Sequence, residues 1–353
     1  LFIYEIFNSC LQFGHFPKIW KIGKVILLTK LNRPTNETSS YRPICLNSIF
    51  GKVLERLIYT RLYYFLSKSE LIHPNQFGFT HKKSSTLALY NLIQHLHTIK
   101  EKGKISLVIS LDFSGAFDSL CFPFVLHSLQ NNKCPSNLYN LLQSFFTDRN
   151  VAYITKDNTQ IRKQITLGCP QGSPLSPLLW NVLINDLLTL SFPSYVHIQA
   201  FADDVIIVIE GYSRRDIEIK AENTLNSTYT WAQERKLKFN YTKCFCMLLA
   251  TGARCQKRNP IIQFNKHKLK VKTEIKLLGI IVDSHLSFIP HVTNLKNKVL
   301  QHTTNLARFS ATKWGINKSQ FRKIYLQSIE RYIVYGAAAW WKPEKNSHLL
   351  RKI

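Results

Sequence analysis

Two aspartates stand side by side at Asp203-Asp204, behind Phe201-Ala202 and ahead of Val205-Ile206-Ile207-Val208-Ile209. The β-branched run reads as a buried strand. The acids therefore fall at its mouth, in a hairpin turn with Gln199-Ala200-Phe201 returning on the other side. Carboxylates beside such a strand are costly unless cations or hydrogen-bond donors neutralise them. An Asp-Asp turn facing water would need no special explanation, but a further acid changes the weighing. Asp112 ends a second apolar run, Ile105 to Leu111. Carboxylates from two strands form the ligand set that two-metal phosphoryl transfer requires, with cations about 4 Å apart activating a hydroxyl and stabilising a leaving pyrophosphate. Hard Mg²⁺ prefers such oxygen ligands.

The surrounding elements can be read from hydrophobic periodicity. Trp20 to Lys30 reads as a strand ending on a lysine, followed by a polar loop, Leu31 to Ser40. Ile49 to Leu66 carries apolar residues at helical spacing. Pro74 to Phe79 is a turn-rich connector, and Ser84-Ser85-Thr86 can cap a helix from Leu87 to about Lys100. Helices are expected near Pro123 to Gln130 and over Ser136 to Phe146, then a hairpin over Val151 to Thr166. Gly168 to Pro174 is dense in chain-turning residues, so its backbone can lie close to a ligand. Ser176-Pro177 opens a helix through Leu178 to Leu190. A helix from Ser213 to about Arg235, a strand from Cys244 to Ala250, a basic β segment from Ile261 to Asp283 and a mostly helical stretch from His291 complete the chain. Strands alternate irregularly with helices, so the class is α+β and not doubly wound.

Composition narrows the partners. The 353 residues carry 47 Lys and Arg against 21 Asp and Glu, a formal charge of +26, which points to a polyanion, nucleic acid foremost. The basic residues are dispersed, which makes an anionic membrane the weaker reading. No apolar run approaches the ~18 residues that span a bilayer. Among eight cysteines only Cys244 and Cys246 are close, and strand periodicity is expected to turn one inward and one outward. Free thiols are therefore favoured over a metal site. Because the chain opens on Leu1 and still reads as structured at Tyr332 to Trp341, it is expected to be a piece of a longer polypeptide.

Seven motifs occur in order. They are Tyr41-Arg42-Pro43-Ile44, Gln76-Phe77-Gly78-Phe79, LDFSGAFD at 111–118, GCPQGSPLSP at 168–177, Phe201-Ala202-Asp203-Asp204, Asn240-x-x-Lys243, and KLLGIIVD at 276–283. This order resembles the reverse transcriptase of non-LTR (LINE-type, jockey-like) retrotransposons over roughly residues 11–285, and Val334-Tyr335-Gly336 with Trp340 resembles the segment C-terminal to that domain in the same group.

The resemblance implies a right-hand polymerase with an antiparallel palm sheet. Residues 1–283 would form fingers and palm, and residues 284–353 a truncated helical thumb. It implies RNA-directed DNA synthesis on a DNA primer from dNTPs, inside the cell and in the nucleus at the integration step. Asp112, Asp203 and Asp204 would hold two Mg²⁺ ions, with Mn²⁺ an alternative. Lys243 would be the general acid toward pyrophosphate. Lys30 and Arg42 would hold the triphosphate, and Phe117 would exclude a ribose 2′-hydroxyl. Gln171 and Gly172 would line the nucleotide and template side, and Leu278-Gly279 the primer-grip hairpin. Gly115 and Thr80 stand where the family generally has lysine and arginine, which removes positive charge near the expected template path. Two rival readings are an RNA-dependent RNA polymerase, against which Phe117 and Ala202 weigh, and a decayed, inactive copy serving as a basic nucleic-acid-binding module.

Overall fold

The computed structural model describes residues 2–29, 34, 36–37, 40–155, 157–170, 172–250, 258–309 and 315–341, the side chain of Arg42 excepted. The buried apolar runs assemble into a five-stranded sheet. Its strands are β3 (Ile105–Leu111), β6 (Val196–Phe201), β7 (Asp204–Gly211), β8 (Phe245–Leu249) and β11 (Lys270–Val271), in the order β11-β8-β3-β7-β6. β3 lies antiparallel between β7 and β8, which accounts for its near-complete burial and for a sequence with almost no polar alternation. The sheet departs from a purely antiparallel pattern at one place, because β11 joins β8 in parallel.

A second sheet has the order β2-β1-β4-β5, from β1 (Ile22–Thr29), β2 (Tyr41–Leu46), β4 (Arg149–Ile154) and β5 (Gln160–Ile165). Four helices lie between or beside these strands: α2 (Ile49–Lys68), α4 (Phe122–Asn131), α5 (Ser136–Phe146) and α6 (Ser176–Leu188). A helix not among the expected elements, α1 (Phe2–Phe13), packs beside α5.

Each face of the five-stranded sheet has its own core. On one face, Leu107, Ile109, Val205 and Ile207 meet α6 and α7 (Arg214–Glu234). On the other, Val108, Ile206, Val208 and Met247 meet α3 (Ser85–Glu101), the hairpin of β12 (Glu274–Leu277) and β13 (Ile280–Asp283), and the start of α8 (Ile289–Arg308). The buried residues of α8 are His291, Val292 and Leu295 in its first two turns, and further along the helix meets the C-terminal helical segment, where His302 stands edge-on to Tyr332 with ring centroids 6.1 Å apart. Beyond it come α9 (Lys318–Ile324), a π-helical turn at Tyr325–Glu330, α10 (Arg331–Val334) and α11 (Ala337–Trp340).

The expected opposition of Cys244 and Cys246 does not occur. Residues two apart on a strand share a face, and both thiols are buried in the core that contains α6 and α7. The seven described cysteines are free. Among the described residues, no helix is long and apolar enough to cross a membrane.

Candidate active site

The register of the central strands brings the acids together. Leu111 pairs with Val205, so Asp112 and Asp204 flank the same end of the β3/β7 ladder. Phe201 pairs with Asp204 across the β6/β7 hairpin, leaving the two-residue loop Ala202-Asp203. Ala202 stands at φ +58°, a conformation that needs outside support in a residue with a Cβ. Its carbonyl accepts the Trp180 indole N–H at 3.0 Å.

Its amide side is backed by Gly78. A Cβ on Gly78 would lie 2.2 Å from the Ala202 nitrogen, so glycine is required there for backbone to meet backbone. The Phe77 N–H donates to the Ala200 carbonyl at 2.8 Å, and the Ala200 N–H donates to the Asn75 carbonyl at 2.9 Å. The Gln76-Phe77-Gly78 segment thus bridges in parallel to the outer edge of β6. Asn181 Nδ2 donates to the Gly78 carbonyl at 2.8 Å and ties that segment to α6.

The Asn240-to-Lys243 motif reaches the same point. The Asn240 N–H donates to the Asp112 carbonyl at 2.8 Å. A tight turn comes next, with the N–H groups of Lys243 and Cys244 donating to the Asn240 carbonyl at 2.9 and 3.1 Å. This delivers Lys243 Nζ to 3.3 Å from Asp112 Oδ2, a buried oxygen that accepts no hydrogen bond from the described residues. The Asp112 N–H donates to Cys244 Sγ at 3.4 Å.

Electrostatically the cluster is strained toward neutrality. Burial, then the negative charges of Asp203 and Asp112, pushes the Asp204 carboxyl up to about 6 against the pull of Lys243. The Asp203 carboxyl is also raised, by burial first; its own backbone hydrogen bond opposes this and the Asp112 charge adds to it. The donor set is wholly carboxylate oxygen, which suits a hard divalent cation. As the side chains stand, no three His, Cys, Asp or Glu residues among the described residues converge on one metal-sized point.

Phe117 and Gly172 belong to two loops that meet each other. The Cys169 N–H donates to the Phe117 carbonyl at 2.8 Å, which zips the Gly168-Cys169 segment to the Phe117 turn. The Phe117 ring is half-buried and inclined to Trp180 at 5.9 Å. Gly172 lies against β2, where a Cβ would sit 3.2 Å from the Cys45 carbonyl. Leu278-Gly279 forms the turn between β12 and β13. Lys30 and Gln171 lie outside the described residues. Arg42 sits in β2 opposite Leu28, and its side chain lies outside the described set.

Sequence reasoning missed a buried polar tie beneath the 168–177 loop. Glu55 on α2 is 0% exposed and accepts a hydrogen bond from the Ser173 hydroxyl. Its carboxyl is raised by burial, against the Ser173 bond and the charge of Arg149, itself 2% exposed. The signal was present: an acid beside Leu54 and Ile58 on a helix's apolar stripe announces a buried partner.

Comparison with known proteins bears on this geometry. The chain is 33% identical over 98% of its length to the Retrovirus-related Pol polyprotein from type-1 retrotransposable element R1 of Bradysia coprophila, and covers 34% of that relative. It is 27% identical over 99% of its length to the RNA-directed DNA polymerase from mobile element jockey of Drosophila melanogaster, covering 38% of it. The chain thus spans a little over a third of the length of these relatives. Among solved structures, apo telomerase from Candida tropicalis superposes with a TM-score of 0.55 at 12% identity, covering 99% of this chain and 66% of that one. The likeness is one of fold, and it bears out the expected α+β right-hand polymerase architecture. Residues 30–282 match the reverse transcriptase (RNA-dependent DNA polymerase) family, and with most of its length inside that match the chain belongs to this family.

Proposed function

We propose that this chain is the polymerase part of a non-LTR retrotransposon protein, adding dNTPs to a DNA primer 3′-hydroxyl on an RNA template. The observation that carries the reading is the meeting of Asp112, the Asp203-Asp204 hairpin and Lys243 at one end of β3 and β7. On this reading, fingers and palm occupy residues 1–283, and α8 begins the helical thumb. The protein works inside the cell, in the nucleus at the integration step.

Asp112, Asp203 and Asp204 are the residues that would hold divalent cations, whose positive charge would offset the burial and the acidic neighbours that raise Asp204. When bound, two Mg²⁺ ions, or Mn²⁺ in their place, supply activation of the attacking hydroxyl and neutralisation of pyrophosphate. Lys243, fixed by its turn and by the Asp112 charge, holds the proton that the leaving pyrophosphate takes up. The Phe117 ring lies beneath the incoming sugar and closes the space of a 2′-hydroxyl. Gln171 and Gly172 would line the nucleotide and template side, Lys30 and Arg42 would grip the triphosphate, and Leu278-Gly279 would touch the primer end.

The test is primer extension on poly(rA)/oligo(dT) with Mg²⁺. Asp203→Asn should abolish addition while template-primer binding stays nearly intact, because affinity rests on the basic surface. Extension by the variant at a tenth of the wild-type rate or more would remove the metal-ligand role.

A further inference from the structure

The turn between β12 and β13 is held from outside its own hairpin. Leu278 and Gly279 stand at φ +45° and φ +93°, so both central residues are left-handed, the pattern of a tight two-residue hairpin turn. A hairpin of four residue pairs has little stability of its own and takes its position from its packing partners. The residue that meets the turn is Tyr335, some 57 residues further along the chain. The Tyr335 hydroxyl lies 2.9 Å from the Leu278 carbonyl and 3.0 Å from Ser85 Oγ, at the first residue of α3. A hydroxyl has one proton: it is donated to the carbonyl, so the same oxygen accepts from Ser85.

The ring also caps the glycine. A Cβ on Gly279 would stand 3.1 Å from Tyr335 Cε1. The next residue continues the contact, since a Cβ on Gly336 would lie 2.4 Å from Ile280 Cδ1 at the start of β13. The Tyr335 backbone is held in turn: its carbonyl accepts the Trp340 indole N–H at 3.2 Å. Trp340 is buried and stands edge-on to His291 of α8, with ring centroids 5.2 Å apart. One phenol therefore joins the turn, the N-terminus of α3 and the segment after α10.

We infer that Tyr335 is a positioning residue for nucleotide addition, its hydroxyl fixing the height of the Leu278-Gly279 turn against the primer terminus. The inference rests on the proposed reading of that turn as the primer contact. Tyr335 is 41% exposed, so its hydroxyl can be removed without emptying a core site. A turn released from α3 would let the 3′-hydroxyl drift, slowing the reaction without weakening the binding of the incoming nucleotide.

The test is single-turnover extension of a DNA primer on an RNA template by the 353-residue chain, comparing wild type, Tyr335→Phe and Gly279→Ala. A rate constant at saturating dNTP does not depend on the folded fraction, whereas the burst amplitude does. Tyr335→Phe should lower the rate constant about three- to tenfold, the scale of one lost hydrogen bond. Its dNTP dependence and amplitude should be unchanged, and Gly279→Ala should slow the same step. A slow Gly279→Ala beside an unaffected Tyr335→Phe would overturn the role of Tyr335 and leave the primer-contact reading standing. Unchanged rate constants in both variants would overturn that reading and the inference with it. A lower amplitude at an unchanged rate constant in Tyr335→Phe would reduce the tyrosine to a stabiliser of the fold.

Discussion

Asp204→Asn should make the metal-free protein more stable while destroying its activity. In the folded chain the Asp204 carboxyl is pushed from 3.8 up to about 6, by burial and then by its two acidic neighbours. That displacement corresponds to roughly 3 kcal/mol at full ionisation. The residue is exposed to solvent as a whole, which screens the interaction and reduces the figure to about 1 kcal/mol. Because the folded-state value is the raised one, this group's contribution to stability is complete below 3.8 and lost as pH rises through about 6. Asparagine keeps the shape and does not titrate. In EDTA at pH 7.5 the variant should therefore melt about 1–3 °C above wild type. The gap should narrow toward pH 4 and close below it, where the wild-type carboxyl is protonated in both states. Millimolar Mg²⁺ or Mn²⁺ should raise the wild-type Tm and raise the variant's less. Thermal melts on a grid of pH and metal, run beside primer extension, read all three effects. A variant that melts below wild type by the same margin at pH 4.5 and 7.5 would refute the charge-strain argument.

Phe117→Val should raise ribonucleotide incorporation relative to deoxynucleotide by one to two orders of magnitude, about 1.4–2.8 kcal/mol of differential transition-state binding. An unchanged ratio in a folded variant, read by single-nucleotide extension beside a melt, would remove the sugar-gate role and restore the RNA-synthesising rival. Gly78→Ala should force the 75–78 segment off the hairpin, since its Cβ has no room beside the Ala202 nitrogen. A loss of about 2–4 kcal/mol in chemical denaturation, with extension falling at least tenfold, is expected; a variant of wild-type stability would show that the two backbones are not pressed together.

The acids were legible because their strands are extreme. Ile105 to Leu111 and Val205 to Ile209 are so apolar that an aspartate at either end stands out. The meeting of those two ends was not, because register is set by pairing across nearly a hundred residues and leaves no local mark. The helix Phe2–Phe13 did carry a local mark, since Glu5, Asn8, Ser9 and Gln12 stand at i, i+3, i+4 and i+7 and form a polar stripe on an otherwise apolar segment. Glu55 broke the apolar stripe of α2 visibly, but its partner Ser173 lies 118 residues away in a loop read only for its turns. The Tyr335 contacts depend on one hydroxyl between two distant turns, and tyrosine in a helical tail carries no local sign of that. Cys244 and Cys246 were misjudged on a period that in fact gives residues two apart the same face.

The 75–78 bridge also bears on how the chain avoids sticking to its own copies. β6 is the outermost strand of the five-stranded sheet, and an unpaired outer strand is a template for a second molecule. Asn75 Nδ2 donates to the Ile198 carbonyl at 2.8 Å across a separation of 123 residues, beside the backbone bonds to Ala200. On the ribosome the cover is made long before the strand it covers, so it is already waiting when β6 emerges. A version trimmed to begin at residue 104 would keep all three acids and Lys243, yet release β6 as a bare rim. Self-pairing of that rim into aggregates, more than any loss of chemistry, would set the limit on such a minimal palm.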